Sequence, residues 1–261
     1  MDERQQHEIE ALLASERPED IHEGLSRVKR EIARHGSEEA RPYFEMLTTL
    51  FYIDPLDRPD LLPMLEEAIT LLVGLGGWVI PSLVEKLDAG DMKAQIAISH
   101  ALGRLGADAI GPLMEAYHAS DDPSRQAFIL YAMGKIKAPK IVDAATLAIA
   151  AAQDPDLELR DTATRAIGKF VESIDAIDLG EGLRRELAAR LQANLADESS
   201  GIRAKAVRSL GKMARHGFLT ADEKEALRAA FLRILGKDEA FAWDRAYLVR
   251  REAEEALSHL D

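Results

Sequence analysis

Cysteine is absent from the 261-residue chain. That excludes a disulfide framework and any thiolate metal site, and it points to a cytoplasmic setting. Aromatic residues are scarce at 5%, so the core must be built from aliphatic and small side chains. No stretch reaches the roughly 18 uncharged apolar residues that a membrane-spanning helix needs. The longest apolar run, "AITLLVGLGGWVIPSLV", is broken by three Gly and one Pro. The opening "MDERQQHEIE" is charged from its second residue and does not read as a signal peptide. Basic charge is also in deficit, with 33 Lys and Arg against 46 Asp and Glu, a net charge of −13. Such a chain repels polyanions on average, so neither a nucleic-acid nor a membrane partner is expected. The deficit is steepest in residues 1–60, which hold 8 Lys and Arg against 15 Asp and Glu.

What the chain does have is 47% apolar residues, rich in Ala and Leu, which favours helices with a real core. It also has an internal repeat. The pattern "HALGRL" at Gly103 returns as "YAMGKI" at Gly134, "RAIGKF" at Gly168 and "RSLGKM" at Gly211, and in degenerate form as "EALSHL" at Ser258. Upstream, "LVGLGGWVIPSL" overlays "LGRLGADAIGPL" at an offset of 30 residues. Five to six units therefore cover residues 61–261. Each reads as two helices. The second carries apolar residues at helical spacing, as in Ala163, Ala166, Ile167 and Phe170. The first helices are "IPSLVEKL", "IGPLMEAYH", "ATLAIAAAQ", "GLRRELAARLQANL" and "EKEALRAAFLRIL". An Asp opens each connecting turn and can cap the next helix. An Arg follows at Arg125, Arg160, Arg203 and Arg250. Asp–Arg pairs that bridge repeats are expected to be exposed, and so to set geometry rather than stability.

This pattern, Asp…Arg-x-x-Ala followed by Ala-(Leu/Ile/Met)-Gly-(Lys/Arg), resembles the HEAT-like repeat family, including its short phycobilisome-lyase-like form. The resemblance implies an all-α fold, a right-handed α-solenoid of stacked antiparallel helix pairs, and a protein-binding scaffold. Residues 1–60 do not match the repeat. They read as helices "RPEDIHEGLSRVKREIARHG" and "RPYFEMLTTLFYID", which hold Tyr43, Phe44, Phe51 and Tyr52. They are expected to form an irregular N-terminal helical cap, continuous with the solenoid, over its otherwise exposed apolar end; the alternative is a partner-docking or dimerising end.

The glycines invite a phosphate-loop reading, which fails. No Gly-Lys is followed by Ser or Thr, none has a glycine five positions before it, and all end helical patterns, where carbonyls repel anions. Two enzyme readings follow from resemblance alone. Deoxyhypusine hydroxylase is a HEAT-repeat enzyme with His-Glu pairs at a di-iron site. Here His7-Glu8 and His22-Glu23 both precede the repeats instead of recurring in successive ones. HEAT-like DNA glycosylases need a basic face, aromatics and a carboxylate at the lesion. Here the global charge opposes that, and Trp78 and Trp243 lie far apart in sequence. No enzyme, metal or cofactor is expected.

The repeat alignment exposes one further pattern. The residue after the glycine is Arg104, Lys135, Lys169 and Lys212, and four residues earlier stand His100, Tyr131, Arg165 and Arg208. Positions i and i+4 share a helix face, so stacked second helices would align these residues in two columns. On the concave side of a solenoid they would form a basic stripe inside an acidic protein, suited to an acidic segment of a protein partner. A plainer reading stands beside it: Lys and Arg in the last turn of any helix offset its dipole. The column at Arg165 and Arg208 lies a full turn earlier, which that reading does not cover.

Overall fold

Helix starts and stops in this chain are written locally. In a computed structural model describing residues 3–37, 39–88, 90–239 and 242–260, there are fourteen α-helices and no strand among those residues. By packing, the chain divides into two units, Met1–Ala116 and Tyr117–Asp261. Each is described by itself.

The first unit contains α1 (Glu3–Leu13), α2 (Pro18–His35), α3 (Arg41–Thr49), α4 (Leu62–Gly74), α5 (Ile80–Lys86) and α6 (Met92–Leu105), and most of α7 (Ile110–His118). Helices α1/α2, α3/α4 and α5/α6 pack as pairs, and α2, α4 and α6 stack in turn. The pairing rule thus runs through residues 1–60, where no repeat is visible in the sequence. Tyr43, Phe44 and Phe51 are buried there, while Tyr52 is exposed. Asp91 caps α6, its carboxylate accepting the Lys93 and Ala94 N–H groups. Gly76 and Gly106 follow α4 and α6 at φ +91° and +76°, a region L-side chains avoid. Their equivalence bears out the 30-residue offset read from the sequence.

The second unit contains α8 (Pro123–Met133), α9 (Ala145–Ala151), α10 (Leu157–Phe170), α11 (Glu181–Ala193), α12 (Ser200–Arg215), α13 (Ala221–Ile234) and α14 (Tyr247–Leu257). Pairs α9/α10, α11/α12 and α13/α14 form the repeats, and α8, α10, α12 and α14 stack into one layer. Asp122 and Asp156 cap α8 and α10, and Thr220 with Glu223 forms a capping box on α13. Each such cap contributes about 1 kcal/mol. Buried side chains at helical spacing, such as Leu130, Met133, Ile167, Phe170, Leu210 and Met213, fill the layer; each large one contributes roughly 1.5–3 kcal/mol. The repeated glycine marks close approach. A Cβ at Gly168 would overlap Ser209 Oγ and stand 2.8 Å from Ser209 Cβ, and one at Gly211 would stand 2.9 Å from Ala256 Cβ. Gly134 is under no such pressure, with nothing nearer than 3.4 Å.

The turn Asp–Arg pairs are not exposed, contrary to the expectation. Arg160 Nε donates to Asp197 Oδ2 at 2.8 Å, with side chains only 12% and 9% exposed. Arg203 holds Asp244 through Nε at 2.6 Å and Nη2 at 2.9 Å. The following repeat covers each pair, which a one-repeat pattern cannot reveal. Buried in this way, each pair is costly to break by removing one partner, because the other is left as an uncompensated charge.

Candidate functional site

The ladder residues of the second unit sit at the ends of the second helices, where the repeat sequence puts them. Tyr131 lies in the last turn of α8 and Lys135 just beyond it; Arg165 and Lys169 lie in the last two turns of α10. These four line one cleft of about 260 Å³, with Lys137 and Thr162. Buried Leu130, Gly134 and Ala166 also line it. A Cβ at Gly134 would stand 3.7 Å from Lys169 Cβ, an ordinary contact.

The cleft lining carries four cations and no carboxylate. Lys135 Nζ stands 4.7 Å from the centre of the Tyr131 ring, and the Arg165 guanidinium 5.4 Å from it. Both are within cation–π range. Neither Lys135 nor Arg165 has a carboxylate within ion-pair distance among the described residues. Lys135 and Lys169 lie at helix C-termini and offset the dipoles there. Arg165 lies a turn earlier, so its charge is left over.

The next cleft along the layer is balanced instead. Arg208 and Lys212 line about 130 Å³ together with Arg215, Glu172, Glu252 and Glu255. Arg208 makes a two-pronged bond to the buried Glu252, at 2.8 and 2.5 Å. That pairing holds the Glu252 carboxyl below its usual range. Glu172, invisible in the ladder alignment, receives Lys212 at 2.8 Å, Lys169 at 3.1 Å and Lys137 at 3.2 Å. Burial pushes the Glu172 carboxyl up, but the hydrogen bonds from Lys212 and Lys169 outweigh it and hold it at about 2. Burial also pushes the Lys212 ammonium down, against the pull of Glu172. The uniform stripe expected from sequence is therefore corrected. Arg208 and Lys212 of α12 are matched by Glu252 and Glu172, and Glu172 also takes Lys169 and Lys137, so of the second unit's ladder cations Lys135 and Arg165 are the ones left without a carboxylate among the described residues.

His100 and Arg104 belong to the first unit, on α6. Arg104 is exposed and donates to Thr70 Oγ1 on α4 at 3.0 Å. The His-Glu pairs are placed as structural ion pairs: Glu8 and Glu23 both receive Arg27, and His22 Nδ1 lies 3.4 Å from Glu67. No three metal-ligating side chains meet among the described residues. No single helix there is long and apolar enough to cross a membrane.

No family model and no curated protein sequence matches the chain. Solved structures do match in fold. The complex of CpcE and CpcF of phycocyanin lyase from Nostoc sp. PCC7120 aligns at TM-score 0.56 and 19% identity, over 69% of this chain and 98% of that one. The archaeal HEAT-like repeats protein from Thermococcus onnurineus NA1 aligns at TM-score 0.52 and 17% identity, over 98% and 97%. An engineered protein aligns at TM-score 0.53 and 16% identity, over 100% and 97%. At these identities the likeness extends to the fold and not to any activity of those proteins. The chain is an all-α solenoid of stacked helix pairs, with the fold of the HEAT-like repeat proteins.

Proposed function

We propose that this protein is a non-enzymatic, cytoplasmic scaffold that docks an acidic segment of a protein partner on its layer of second helices. In this reading residues 1–60 cap the repeats of residues 61–261. The observation that carries the reading is the cleft between α8 and α10. There Lys135 and Arg165 flank the Tyr131 ring with no carboxylate partner among the described residues, in a protein of net charge −13. An unpaired guanidinium beside an aromatic ring supplies a fork for a carboxylate and a flat surface for the chain that carries it. Lys169 and Lys137 share Glu172 at the rim and keep an excess of positive charge there, whereas Arg208 and Lys212, taken up by Glu252 and Glu172, contribute position more than free charge. His100 and Arg104 would offer the corresponding pair in the first unit.

The test is binding of a fluorescein-labelled octaglutamate peptide, read by fluorescence anisotropy at low salt. Replacing Lys135 and Arg165 together by Glu is expected to weaken binding at least tenfold and to leave the helical circular dichroism unchanged. Reversing Lys212 instead disturbs the Glu172 cluster, so it is the poorer probe. Unchanged affinity in the double variant would reduce the ladder to helix-end electrostatics.

A further inference from the structure

Three turn arginines adopt the same pose in successive repeats of the second unit. Arg160 donates through Nη1 to the carbonyls of Asp154 and Pro155, at 2.7 and 3.1 Å. Arg203 does the same to Asp197 and Glu198, at 2.9 and 3.1 Å. Arg250 does the same to Asp244 and Arg245, at 2.6 and 3.1 Å. One edge of each guanidinium is thus fixed by its own turn. The other edge faces onward. Arg160 gives it to Asp197 and Arg203 gives it to Asp244, each the turn aspartate of the following repeat. Arg250 is the exception: its Nε and Nη2 have no partner among the described residues.

The aspartate that fills the other two sites has a fixed local form. It lies two residues before the helix N-cap and accepts that residue's N–H, Asp197 from Ser199 and Asp244 from Ala246. Its carboxylate is therefore held ready for the fork. The Arg250 guanidinium lies over two rings, Trp243 with its centre 4.9 Å away and Tyr247 at 6.0 Å. These side chains are 64% and 70% exposed, and Leu248 beside them is exposed as well. A preoriented guanidinium between exposed Trp and Tyr has the composition of an interaction hot spot.

We infer that the α14 end of the second unit is a docking site for another protein's helix-opening turn, one that presents an aspartate two residues ahead of its N-cap. The aspartate takes the open edge of Arg250 as Asp197 and Asp244 take those of Arg160 and Arg203. Trp243 and Tyr247 cover the turn that carries it. Charge and geometry both select this occupant, because the protein binds such a turn twice within itself. The site is separate from the α8–α10 cleft and stands or falls independently of the function proposed above.

The probe is a peptide with the sequence of residues 196–207, the turn that Arg160 already holds, titrated into the full ¹⁵N-labelled chain. The Trp243 indole N–H and Arg250 Nε–H resonances report on the site. Both are expected to shift saturably. A peptide with Asn in place of the aspartate equivalent to Asp197 is expected to bind about tenfold more weakly or worse, having lost the charge-assisted hydrogen bond. Arg250→Lys, which keeps the charge and loses the fork, is expected to show a similar loss, whereas Lys135→Glu with Arg165→Glu leaves the titration unchanged. The unaltered chain against the two peptides decides the matter even if Arg250→Lys loosens its own turn. Resonances that do not move, equal response to the Asp and Asn peptides, or full binding by Arg250→Lys each overturn the inference. Shifts that grow with protein concentration before peptide is added place a second copy at this site, which overturns assignment to a separate partner.

Discussion

Gly168 and Gly134 occupy the same position in the repeat but not the same environment. At Gly168 a methyl group would meet Ser209, whose Oγ donates to the Thr164 carbonyl in the buried seam between α10 and α12. At Gly134 a methyl group meets only ordinary contacts. Gly168→Ala is therefore expected to destabilise the protein by about 1–3 kcal/mol through overpacking. Gly134→Ala is expected to be neutral or to add up to about 1 kcal/mol by restricting the unfolded chain. Urea unfolding midpoints of the two variants check this; equal midpoints would mean that the seam yields freely. The motif letter alone does not separate these two glycines. What separates them is the distance to what each one meets: Ser209, side chain and Cα, in overlap for one, and the carbonyls of Leu130 and Tyr131 with Lys169 Cβ at ordinary contact for the other.

At the scale of the element, the turn between paired helices does three jobs with two residue types. Its aspartates close the next turn or cap the next helix, and its arginine ties its own turn's carbonyls and reaches the following repeat. Because the Arg160–Asp197 and Arg203–Asp244 pairs are largely buried, removing one partner strands the other. Asp197→Ala and Asp244→Ala are each expected to cost about 3 kcal/mol. The double change of Arg203 and Asp244 to apolar residues of similar volume is expected to recover much of that. A double-mutant cycle from thermal unfolding measures it, and additive losses would show the pairs to be independent. Sequence periodicity showed that these residues recur together. It did not show their burial, because the covering surface comes from a repeat some 40 residues away.

On the scale of the whole chain, acidity is the dominant feature, yet one carboxylate organises a basic neighbourhood. Glu172 gathers Lys137, Lys169 and Lys212 from three successive repeats. Its carboxyl is held at about 2 in the folded protein, against an ordinary value near 4.5. A depressed folded value means that the stabilisation is fully present above about pH 5 and is lost as pH falls toward 2. Stability is expected to fall by roughly 2 kcal/mol over that range from this group, with Glu252 and Asp244 moving in the same direction. Glu172→Gln should lower stability at pH 7 and flatten the pH dependence between 5 and 2, read from urea midpoints across that range. A slope identical to that of the unaltered chain would assign the acid sensitivity to other carboxylates.

The sequence by itself determined the architecture: the repeated Ala-x-Gly-Lys helix ends, the Asp-opened turns and the absence of cysteine and of long apolar runs are local features, and local features decide where helices start, stop and turn an apolar face inward. It also located Tyr131, Lys135, Arg165 and Lys169, because residues at equal register on stacked helices become neighbours. It did not show that residues 1–60 pair by the same rule, since their packing needs only buried aliphatic and aromatic side chains and not the repeat signature. Nor did it show that Glu172 and Glu252 take up the cations of α12, or that Nε and Nη2 of Arg250 find no acceptor among the described residues. Those are matters of which charge lies within about 3 Å of which, and across 35 to 45 residues of chain only the tertiary packing of one repeat on the next decides that.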